Sequence, residues 1–72
     1  MFNVVVTFTD NGIQSFSDIT SIRYSQTTSK EIGGNEMLSH KFPLNVDLLL
    51  IAGNAAYTIA GKTIKALSVI GQ

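Results

Sequence analysis

Cysteine is absent from this chain, and so is tryptophan. Without thiols no disulfide can staple the fold and no thiolate can hold a metal. A lone histidine, His40, gives zinc one preferred ligand of the three or four it needs, so the sequence predicts no metal site. Glu36 and His40 are four apart and would share a face only if that segment were helical, and Glu31 could add one more oxygen. Charge is equally scarce. Five basic and five acidic residues cancel, and charged residues are 14% of the chain, where about 25% is usual. A neutral domain lacks the basic field that supplies non-specific nucleic-acid affinity. It also lacks the polybasic cluster of a membrane-surface binder. Val46 to Ala60, the longest apolar stretch, is interrupted by Asp47, Gly53, Asn54 and Thr58 and is too short to span a bilayer. Met1 to Thr9 has no basic region and alternates too soon for a signal peptide, so a cytoplasmic chain is expected.

What is present is a chain of 72 residues, enough for one core and therefore one β domain over 1–72. A domain of this size buries only about 60% of the surface its unfolded chain exposes. Small chains compensate with disulfides, metal or oligomerisation. With the first two set aside, a homo-oligomer is expected. Ser and Thr supply most of the uncharged polar cover.

Residues 2–9 read as a strand, with Phe2, Val4, Val6 and Phe8 on one face and Asn3, Val5, Thr7 and Thr9 on the other. Asp10-Asn11-Gly12 is a hairpin signal. A three-residue loop with Gly12 left-handed would set Val6 opposite Phe16, and this register is favoured over a two-residue Asn11-Gly12 turn. The return strand covers 13–18, closed by Ile19. Ser21 to Gln26 is either a third strand or the continuation of one long strand through a bulge or corner, with Ile22 and Tyr24 on one face and Arg23 and Ser25 on the other. Residues 27–41 break the pattern and read as the one long loop, in which Asn35 could cap a single helical turn through Glu36-Met37-Leu38. Leu48 to Ala52 suits a strand buried on both faces. Gly53-Asn54 turns into a partner strand, Ala55 to Ala60. Gly61-Lys62 turns again, Thr63 to Ala66 suits a 3₁₀ turn, and Leu67 to Ile70 closes the chain.

Five or six short antiparallel strands joined by tight turns, with one long loop at 27–41, give an all-β barrel or roll. The element order, with a 3₁₀ turn ahead of a short last strand, resembles that of SH3-like barrels.

Most chemical motifs fail on their own requirements. Gly61-Lys62-Thr63 is how a P-loop ends, but the motif needs a glycine where this chain has Ala56. His40 is the only imidazole base, and its neighbour Ser39 is no evidence of a nucleophile pair. No cofactor and no catalysis are expected, since a deep pocket is hard to build at this size. Arg23-Tyr24 alone joins a cation to an aromatic, so nucleic-acid binding by a small barrel is a minor alternative.

The leading expectation is a non-enzymatic interaction module that self-associates, of the accessory or inhibitor type that mobile elements encode. Val5, on a strand apolar on both faces, and Leu67 and Val69 in the last strand are the candidate self-association residues. Binding is placed in the 27–41 loop and the strand beside it: Arg23, Tyr24, Lys30, Gly33, Gly34, Asn35, His40 and Lys41. Consecutive glycines there could offer amides to an anion, which supports a second alternative, an oligomer that sequesters a small anion or nucleotide.

Overall fold

The alternation of Phe2, Val4 and Val6 forms a strand, and all three are buried in β1 (Phe2–Phe8). The computed structural model describes residues 1–71. Its further elements are β2 (Ile13–Ser25), β3 (Ser29–Gly33), α1 (Glu36–Ser39), β4 (Leu48–Ala52), β5 (Ala56–Ile59), a 3₁₀ turn at Gly61–Thr63 and β6 (Ile64–Gly71). All pairs are antiparallel, in the order β5-β4-β2-β1-β6, with β3 on β2 beside that path. The fold is all-β, with a 3₁₀ turn directly before the last strand. Among the described residues β5 and β6 pair with β4 and β1 only, which makes the sheet an open roll.

The element that shapes the roll is β2. It is one strand of 13 residues rather than two. Its first half pairs with β1, and its second half lies between β3 and β4. Two register shifts separate the halves. Ser17 and Asp18 together oppose Asn3, with Asp18 at φ 60°, and Thr20 is the extra residue against β4. Aspartate tolerates the left-handed region better than most residues, and bulges bend and twist the strand that carries them. The buried positions Phe16, Ile19, Ile22 and Tyr24 consequently recur at three, three and two rather than strictly every second residue.

The first hairpin differs from its expected register. Val4, not Val6, lies opposite Phe16. The loop has three residues, but they are Thr9-Asp10-Asn11, closed by Phe8 N–H donating to the Gly12 carbonyl at 2.7 Å. Asn11, at φ 70°, takes the left-handed position expected of Gly12. Asp10 decides this: its Oδ1 accepts the Gly12 N–H at 2.8 Å and fixes glycine after the turn instead of at its apex.

Three further expectations change. Residues 27–41 are not one loop, since 29–33 form β3 and 36–39 form α1. Ser-Lys-Glu-Ile-Gly has a single large apolar residue and gives no period-two signal, yet it pairs Ile32 with Ile22 and Glu31 with Arg23. The helical turn is where it was expected, although Asn35 makes no side-chain cap. The run at 48–52 is buried on one face only: Leu48 and Leu50 enter the core, while Leu49 and Ile51 are half-buried on the outside. The 3₁₀ turn lies at 61–63, which lengthens β6 to eight residues.

The core joins Phe2, Val4 and Val6 to Ile19, Ile22, Leu48, Leu50 and Ile64, and α1 closes it with Met37, 1% exposed. No helix is long and apolar enough to cross a membrane among the described residues.

Candidate functional site

Where α1 and the chain after it pass β6, the roll leaves a groove of about 480 Å³. Leu67 and Val69 lie opposite Val6 and Val4, so they share the inward face of β1 and form one wall, half-buried. Met37, Leu38, Phe42 and Leu44 form the other wall, and His40, Lys41 and Lys65 supply its polar groups. No carboxylate lines it. Leu38 and Leu44 are large apolar side chains that remain exposed there.

A lone histidine in an irregular stretch is expected to be solvated, but His40 is held by its neighbours. It ends α1, with its backbone N–H donating to the Glu36 carbonyl at 2.9 Å. Its ring meets Phe42 edge-on with centroids 4.7 Å apart, and Tyr24 Oη and His40 Nε2 share a hydrogen bond of 2.7 Å. Tyr24 itself is a core residue, 5% exposed, and its hydroxyl meets the half-buried His40. Phe42 closes the trio, 6.0 Å from the Tyr24 ring in an edge contact. The trio fixes one end of the groove. Ser39, the neighbouring residue, takes no part in it: its Oγ donates to the Glu36 carbonyl at 3.4 Å.

The expected binding residues do not form one site. His40 and Lys41 line the groove, with Tyr24 behind His40. Arg23 points to the opposite face of β2, where its Nε and Nη2 donate to Glu31 Oε1 at 3.0 and 2.6 Å. The cation and the aromatic of Arg23-Tyr24 are thus parted by the sheet. Lys30 is exposed on β3. Gly33 belongs to that strand, and Gly34, at φ 61°, donates its N–H to the Thr20 carbonyl at 3.2 Å. That amide is already engaged, which removes it from any anion nest. Asn35 begins α1.

Of the self-association residues, Val5 is not on an edge, because β1 lies between β2 and β6. It is half-buried on the outer face of that three-stranded half, opposite Ser15 and Ser68. The same register puts Ile13 and Ala66 beside Thr7 and Ile70 beside Asn3 on this face. Ile13 is 70% exposed and Ile70 52%. Leu67 and Val69 point the other way, into the groove.

Sequence reading missed Lys65, Leu38 and Leu44 as groove residues. Leu38 and Leu44 carried a usable signal, as bulky apolar side chains in a stretch without period. Lys65 carried none. Comparison with protein-family models, with curated proteins and with solved structures gives no match.

Proposed function

We propose that this chain is a non-enzymatic interaction module that self-associates through the outer face of β1, β6 and the first half of β2, with Val5 at the centre. One observation carries the reading: the register collects Val5, Ile13 and Ile70 on a face whose other paired residues are Asn, Thr, Ser and Ala, with Asp18 in the bulge at its Asn3 end. No charge stands beside Val5 itself, whose partners are Ser15 and Ser68. Full burial of each large aliphatic side chain contributes about 1.5–3 kcal/mol. Small Ser and Ala neighbours let a second sheet approach to the usual spacing of roughly 10 Å. An isologous pair would set Val5 near the two-fold axis, so that each copy buries the same patch. Cytoplasmic residence, compatible with a cysteine-free chain, belongs to the same proposal.

Light scattering coupled to size exclusion tests it. The native chain should elute as a dimer or larger at micromolar concentration. Val5→Lys places two charges at the centre of the pair and should give a folded monomer. A native chain that is monomeric throughout, or a Val5→Lys variant that associates unchanged, removes the proposal.

A further inference from the structure

β6 ends the hydrogen-bonded order, so its outer edge has no strand partner among the described residues. The groove runs beside that edge, with Phe42, Leu44, Leu67 and Val69 offering apolar surface. Lys41 and Lys65 are its cations. Lys65 Nζ donates to the uncharged Asn11 Oδ1 at 3.1 Å, and the one ion pair among the described residues joins Arg23 to Glu31 elsewhere. Both lysine charges therefore stand uncompensated beside an apolar trough.

We infer that the β6 edge and its groove dock an extended segment of a protein partner, with apolar residues at alternate positions and acidic residues flanking them. Three features select this occupant. An open strand edge recognises extended backbone, which a lipid or another small amphiphile does not offer. Along an added strand every second side chain faces the same way, and those side chains enter the groove. Two cations without a carboxylate favour acidic flanks and repel basic ones. The inference rests on the interaction-module reading but uses a different face, since Leu67 and Val69 point away from Val5.

The probe is the capped peptide Glu-Thr-Val-Thr-Leu-Thr-Val-Thr-Glu, which sets its apolar side chains and both carboxylates on one face. Binding is read by fluorescence anisotropy and by amide shifts of the labelled protein. Micromolar binding with shifts at Leu67, Val69 and Phe42 is the expected result. Exchanging both glutamates for lysine should weaken it at least about tenfold, because like charges then meet at the groove. Lys41→Glu with Lys65→Glu should reverse that preference, a readout that only a folded variant can give. If this variant does not fold, the two peptides on the native chain still decide. N-methylation of alternate peptide amides, tried in both phases, should abolish binding in the phase that blocks the edge. No binding up to millimolar peptide, equal affinity for both peptides, indifference to either methylation, or uptake of decanoate in place of the peptide each overturns the inference. Val5→Lys separates the two proposals. A monomer that keeps peptide affinity supports both, and a native monomer that binds the peptide leaves this one standing alone.

Discussion

Gly61 sits where two backbones meet. A Cβ there would overlap Asn45 and Val46, and its N–H donates to Asp47 Oδ1 at 2.8 Å. Its backbone angle is not left-handed, so the demand is for space rather than for an unusual φ. Gly61→Ala must push the 45–47 segment off the end of β5. Overpacking of this kind costs about 1–3 kcal/mol, and here backbone rather than a flexible side chain must yield. A lowered urea midpoint with unchanged slope is the expected measurement; an unchanged midpoint would mean that the segment moves freely. In the sequence Gly61-Lys62 reads only as a turn, since the residues that crowd it lie 15 and 16 positions upstream. Asn11 and Asp18 were hidden for a related reason. Their type permits positive φ, but which position takes it follows from the register and from bonds such as that of Gly12 N–H to Asp10 Oδ1. Tyr24 was legible, because its two-residue spacing from Ile22 puts both side chains on the buried face.

At the scale of elements, β3 and α1 change what the 27–41 stretch is for. Read as a loop, it could be shortened at little cost to stability. Its actual content is a strand on β2 and a helical turn that seals the core with Met37. Loss of a fully buried long side chain costs about 2–5 kcal/mol. The whole domain holds only roughly 4–11 kcal/mol, at the usual 0.05–0.15 kcal/mol per residue. Met37→Ala should therefore take a large part of the total, seen as a drop of several degrees in melting temperature. Replacing residues 28–39 with a Gly-Ser linker should leave no cooperative unfolding transition at all. A cooperative melt at the native temperature from either variant would show that the core closes without α1. Strand β1, with its alternation, and strand β5, which follows the Gly53-Asn54 turn signal, were legible because local period and turn chemistry decide where they lie, although the register of the first turn was not. Edge strand β3 was not. Its polar residues need no apolar partner on the open side, and its place depends on a bent β2 that a one-dimensional pattern cannot show. The groove was half legible for the same reason: His40 and Lys41 lie in the irregular stretch, while the opposing wall on β6 is set by pairing with β1.

At the scale of the molecule, the core is complete in one copy. The radius of gyration is 11.1 Å, close to the roughly 11 Å of a compact chain of this length. Val5 is only half-buried and lies outside the core cluster, so a charge there should not unfold the monomer. Self-association through its face therefore adds stability to a folded unit rather than creating one. Mass action gives that idea a signature independent of chromatography. A contact made between folded copies and lost on unfolding stabilises the native state more as concentration rises. The native chain should melt at progressively higher temperature across a wide concentration series, by a few degrees in all. Val5→Lys should melt at one temperature over the same series, and it should match the native chain at the dilute end. Parallel scans of the two proteins by differential calorimetry measure both quantities at once. A native melting temperature flat from low micromolar to millimolar would end the case for Val5 as an interface. A Val5→Lys variant whose melting still climbs with concentration would keep self-association and move it to another face.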